Sequence, residues 1–168
     1  MVLKWNPFKR ERRKHKRYNT AGKVSFNVIF DFVTKINYQI IDLGQEKLLS
    51  QKYAGLSKDI SAEGLCFISP QKLEKGDILR LEVYVPEQSK PVTMDGEVRW
   101  SGKISSRGLG FLKGREKGRG AYATGVKLLT IEKKPVSDSI YFDEKKQVAW
   151  SAVLESIMGQ LLKKKKTS

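Results

Sequence analysis

Residues 78–100 read ILRLEVYVPEQSKPVTMDGEVRW, and their pattern decides the class of fold. Leu79, Leu81, Val83 and Val85 alternate with Arg80, Glu82 and Tyr84. That period of two turns one face of a strand to a core and the other to water. Past Pro86 and Pro91 the rhythm resumes with Val92, Met94, Val98 and Trp100. Trp100 falls on the apolar side of this alternation, as Phe67 does in the segment before, so both rings are expected inside.

Outward from this hairpin the same chemistry recurs. Residues 24–33, VSFNVIFDFV, are β-branched and aromatic and predict a strand. Ile36–Ile41 predicts a second that pairs with the first or continues it. Residues 42–58 are polar and show no period. Leu65–Ile68 is a short strand, Glu74–Asp77 a turn, and Tyr122–Leu129 a last strand. Between them, 102–120 carries six glycines and predicts a flexible loop. Five or six short strands joined by tight turns imply an all-β fold, a small antiparallel barrel that closes its own edges. The C-terminal segment differs. Trp150, Val153, Leu154, Ile157, Met158, Leu161 and Leu162 follow helical spacing, with Asp143 as the expected cap and Glu144 in the first turn. This amphipathic helix either covers an open end of the barrel or forms a homodimer seam. The expected division is a basic arm (1–23), a barrel (24–135), and a helix with a lysine tail (136–168).

The formal net charge of +15 on 168 residues is concentrated. Residues 1–23 hold nine Lys or Arg against one acid, 102–120 hold six against one, and Lys163–Lys166 add four. Such clusters await an anion: a phosphate ligand, nucleic acid or a lipid surface. Catalysis finds no support. No G-x-S-x-G, H-E-x-x-H or Walker motif occurs, and the one histidine, His15, sits among cations that lower its pKa. Cys66 is the sole cysteine, so an internal disulfide and a thiolate zinc site are excluded. The lone cysteine makes a reducing cytoplasm the expected compartment, no apolar run is long enough to span a bilayer, and no secretory signal is expected.

Two short stretches remain. Arg12, Arg13 and Arg17 lie within RRKHKR (12–17), where guanidinium forks suit phosphate and the guanine O6/N7 edge. Asp59-Ile-Ser-Ala-Glu-Gly64 precedes a strand. By itself it reads as a turn, with Asp59 and Ser61 bonding nearby backbone and Gly64 allowing positive φ. Its carboxylate also suits the N1–H and N2–H donors of guanine. The ordered pair R-x-x-x-R (Arg13 to Arg17) and D-x-S-x-x-G (Asp59 to Gly64), with the GEVRW (96–100) and ATGVKLL (123–129) strands, resembles the PilZ family over about residues 9–131.

PilZ domains are bacterial receptors for cyclic di-GMP. The resemblance implies that ligand, no further cofactor, and a protein partner that receives the signal. It implies that Arg13 and Arg17 grip phosphate and guanine, that Asp59 and Ser61 meet a guanine face, and that Gly64 keeps the loop close. Arg12 resembles the position used by members that take an intercalated nucleotide pair. Arg17 and Asp59 stand farther apart than in the compact family pattern because of residues 34–56. Two rival readings use the same charges: a β-barrel nucleic-acid binder, and a membrane-surface protein anchored through Trp5 and Phe8.

Overall fold

The computed structural model describes residues 3–4, 29–104, 121–145 and 147–166, with side chains from 29 to 159 of that set. In chain order the elements are β1 (Leu3–Lys4), β2 (Phe30–Phe32), β3 (Lys35–Asp42), β4 (Lys47–Leu48), β5 (Tyr53–Ile60) and β6 (Gly64–Ser69). They continue with β7 (Ile78–Val83), β8 (Val92–Ile104), β9 (Ala121–Ile131), β10 (Lys134–Pro135), β11 (Tyr141–Asp143), β12 (Val148–Trp150) and helix α1 (Ala152–Lys166). Strands β5, β6, β9, β8, β7 and β3 follow one another as neighbours, and β3 pairs again with β5. The result is a closed six-stranded antiparallel barrel.

The closing strand is the one that periodicity left unread. β5 has no apolar alternation because its inward positions include Gly55 and Ser57. Ser57 is fully buried, and its hydroxyl donates to the Phe32 carbonyl while accepting from the Thr34 amide. Those bonds satisfy the backbone where the chain breaks step between β2 and β3. Both strands then run along one edge of β5, β2 pairing at Asp59–Ile60 and β3 at Tyr53–Leu56. Of the two expectations for Ile36–Ile41, continuation of the preceding strand is correct. Residues 34–56 are therefore largely barrel wall, with only the turn and edge strand around β4 added outside it.

The interior is dense. Phe32, Ile36, Ile60, Phe67, Leu79, Leu81, Val83 and Val98 are fully buried, and the Tyr38 ring packs 4.9 Å from Phe67. The Tyr38 hydroxyl donates to Ser69 Oγ at 2.8 Å, which keeps its one polar atom partnered. Helix α1 adds Val153, Leu154, Ile157 and Met158, all fully buried and continuous with the barrel core. That face covers the barrel within one chain, and a homodimer through it would require it to be uncovered.

Three expectations need correction. The helix starts at Ala152, not Asp143, because 141–150 fold as the β11–β12 hairpin, and Ser151 caps the helix instead. β8 runs to Ile104, so Gly102 is in a strand. Trp100 is 52% exposed rather than internal. Residues 24–28 of the first predicted strand and 105–120 of the predicted loop lie outside the described residues.

Replacing Leu81, which is fully enclosed, tests the core directly. Leu81→Ala is expected to lower the unfolding free energy by about 2–5 kcal/mol in a urea titration monitored by circular dichroism.

Candidate ligand-binding site

A bulge creates the site. Opposite β9, Val98 pairs with Val126 but Trp100 pairs with Gly125, so Arg99 is the extra residue in β8. One inserted residue reverses which face the next side chain takes. Without it Trp100 would join Val92, Met94 and Val98 inside; with it the indole turns outward.

It lands over Gly125. A Cβ at that glycine would sit 2.1 Å from the indole Nε1 and 2.4 Å from Cε2, so only glycine admits the ring there. The register then carries the row across the outer wall. Gly125 pairs with Cys66, Cys66 with Asp59, Asp59 with Asp31, and Asp31 with Lys4 of β1. The adjacent row, Val98, Val126, Leu65, Ile60 and Phe30, is buried in the core, which fixes the Trp100–Asp59 row as outward. With strands about 4.8 Å apart, Trp100 and Asp59 stand roughly 14 Å apart at the backbone. The indole covers Gly125, so the floor left between the ring and Asp59 is the small side chain of Cys66. An aromatic face and a carboxylate thus flank a low floor.

The floor is chemically quiet. Burial pushes the Cys66 thiol up to about 12, with the Asp59 carboxylate adding to the push and Lys58 opposing it. Cys66 is therefore a neutral thiol at physiological pH. Beside it Ile68, Ala121, Ala123 and Ile104 make a small apolar cluster on the same wall.

The loop from β5 to β6 is held tightly. The Ser61 amide donates to the Gly64 carbonyl at 2.9 Å, and the Leu128 amide to the Glu63 carbonyl at 2.8 Å. Gly64 does not take the positive φ expected of it; among the described glycines only Gly76 does. Its role is space, since a Cβ would meet Ser61 Oγ at 3.3 Å and the Val126 carbonyl at 3.4 Å. Asp59, Ser61 and Gly64 therefore come together at one end of the Trp100 row. Arg12, Arg13 and Arg17 lie outside the described residues. The described residues that bracket them in the chain are Lys4, which pairs with Asp31, and β2, in which Asp31 pairs with Asp59.

The profile of the PilZ domain matches residues 11–119. The chain belongs to the PilZ domain family. The match stops before β9 and α1, so the strand that bears Gly125 and the helix that covers the barrel lie beyond it. A comparison with curated proteins finds no match. Among solved structures, the Bacillus subtilis inhibitor of motility (MotI/DgrA) is similar, with 18% identity and a TM-score of 0.47. The alignment covers 82% of this chain and 51% of that one, so this chain spans about half of its length.

Trp100 and Gly125 are what the sequence reading missed. An isolated glycine within an apolar strand was the available signal, since it marks a close approach. Among the described residues no cluster of His, Cys, Asp or Glu is arranged to hold a metal ion, and no helix is long and apolar enough to cross a membrane.

Two measurements follow. Gly125→Ala is expected to displace the Trp100 indole N–H resonance in an NMR spectrum while the buried Trp150 signal stays in place. Native protein at pH 8 is expected to react with iodoacetamide far more slowly than free cysteine, and urea-unfolded protein at the free rate, because the raised pKa withholds the thiolate.

Proposed function

We propose that this chain is a cytoplasmic, non-catalytic receptor for cyclic di-GMP, and that the ligand sits on the outer wall between Trp100 and Asp59. The observation that carries the reading is that row: the acidic end of the D-x-S-x-x-G loop and an exposed indole share one face across three strand spacings. In this reading a guanine stacks on Trp100, and Asp59 accepts from its N1–H and N2–H. Ser61 contacts the same base, and Gly64 leaves it room.

Arg13 and Arg17 supply the phosphate grip, with Arg12 beside them. They are 9 and 13 residues from Lys4 along the chain, a reach of tens of ångströms at about 3.3 Å per residue. Anchoring of one flank in β2, beside Asp59, and of the other in β1, one strand farther out, keeps their local concentration there high. A free cluster of like charges repels itself, and a dianionic dinucleotide neutralises it. The ordered arginine segment then differs from the free one, and that difference is the signal passed to a protein partner.

Exposure of Trp100 also favours the second reading, a β-barrel that binds single-stranded nucleic acid, because stacking platforms are exposed aromatics. The two differ in reach. A cyclic dinucleotide occupies one row and two phosphates, whereas a strand would engage many phosphates with a steep salt slope.

Titration calorimetry with cyclic di-GMP, GTP and a poly-anion separates them. Saturable binding of cyclic di-GMP alone is expected, weakened by Asp59→Ala and nearly lost in an Arg13→Ala, Arg17→Ala double variant. Trp100→Ala is expected to cost about 1–3 kcal/mol of binding, the size of one stacked base. Unchanged affinity in the double arginine variant would sink the site assignment.

A further inference from the structure

The D-x-S-x-x-G loop is tied to a residue 89 positions away in the chain, beyond the segment that the family profile matches. Ser151 is 1% exposed and stands immediately before α1. Its carbonyl accepts from the Glu155 amide at 3.0 Å, and its hydroxyl accepts from the Val153 amide at 3.2 Å, so it is the helix N-cap. The same hydroxyl donates its one hydrogen to the carbonyl of Ala62 at 2.6 Å. Ala62 is buried and lies between Ser61 and Gly64. One side-chain oxygen therefore both starts the helix and holds the middle of the loop.

A second contact reaches the strand beside Asp59. Trp150, next to Ser151, meets Phe30 edge to face with ring centroids 6.3 Å apart. Phe30 precedes Asp31, the cross-strand partner of Asp59, and opens the strand to which the arginine segment returns. The junction of β12 and α1 thus touches both the loop and the strand that neighbour Asp59, at the acidic end of the proposed site.

We propose that Ser151 is a positioning residue for the ligand loop: through the Ala62 carbonyl it holds Ser61 and Gly64 in the binding geometry and couples ligand occupancy to docking of α1. The inference rests on the cyclic di-GMP reading above. A carbonyl held in place needs no reordering when ligand arrives, so the tie improves affinity by preorganisation. Linkage makes the effect reciprocal: whatever α1 docking does for the loop, bound ligand does for α1. The N-terminal turn of the helix is then the element whose stability reports occupancy.

The test uses the full chain, calorimetry and amide hydrogen exchange. In unmodified protein, cyclic di-GMP is expected to slow exchange at the Val153–Glu155 amides; this arm needs no variant, and unchanged exchange there on binding overturns the coupling. Ser151→Ala is expected to weaken binding by about three- to tenfold, the size of one hydrogen bond, and to abolish the ligand-induced slowing. Ser151→Thr, which keeps the hydroxyl, is expected to restore both. Ile157→Val removes a methyl from the same helix, six residues beyond Ser151, and leaves the Ser151 hydroxyl intact; it is expected to lower the melting temperature while leaving affinity within about twofold. Equal affinity in Ser151→Ala, or equal weakening in Ile157→Val, overturns the positioning role and leaves the cyclic di-GMP reading standing. If unmodified protein takes up no cyclic di-GMP, the functional reading itself fails and this inference falls with it.

Discussion

The pairing of β3 back onto β5 is the constraint on which the rest depends. It converts a curved sheet into a closed barrel, and closure fixes which side chains of every strand point inward. At that seam β5 is thin: Gly55 and Ser57 face in, where neighbouring strands offer leucine and phenylalanine. The Ser57 hydroxyl satisfies the backbone at the break between β2 and β3, so one strand edge can hold two partners in succession. A fully buried hydroxyl without those partners would destabilise the seam by about 1–3 kcal/mol. With them, β2 is carried past the barrel rim and brings Asp31 beside Asp59.

From closure follows the outer row. Once the core-facing set is fixed, only an irregularity can put a large aromatic outside at the end of an apolar alternation, and the bulge at Arg99 supplies it. Gly125 then admits the indole, and Cys66 keeps the floor between Trp100 and Asp59 low. The three positions that make room for that arrangement, Arg99, Gly125 and Cys66, are respectively bulged, glycine and small for a steric reason. Its charge pattern is also consistent: a carboxylate at one end, flanks that lead to a cationic segment, and a thiol between them that stays uncharged. The helix adds a second layer. By capping the barrel with four fully buried side chains and reaching the β5–β6 loop through Ser151, α1 ties the core and that loop to the later part of the chain.

The class of fold and half of the candidate site were legible in residues alone. Period-two alternation in 79–85 and 92–98 requires half-buried strands, since no other backbone turns successive side chains to opposite sides. The helical spacing of Val153, Leu154, Ile157 and Met158 required a covered helix face. The order of Asp59, Ser61 and Gly64 before an apolar strand marked a polar loop, because those side chains and that missing Cβ suit a tight, ligand-facing turn. These are local properties, written within a few residues of one another.

What only the tertiary structure decided involves residues far apart in sequence. Trp100 is outward because of a register shift against β9, and a pattern confined to β8 has no means of recording its partner. Gly125 is required by an indole 25 positions earlier, and β5 is a strand because its neighbours complete its hydrogen bonds, not because its own side chains alternate. The helix start moved from Asp143 to Ala152 because 141–150 found pairing partners in each other, which overrode a serviceable capping sequence. Ser151 looked like any polar residue before a helix until the fold set its hydroxyl against Ala62. Sequence fixes propensity over a turn or two of chain; which faces meet is settled by closure, and closure is a property of the whole.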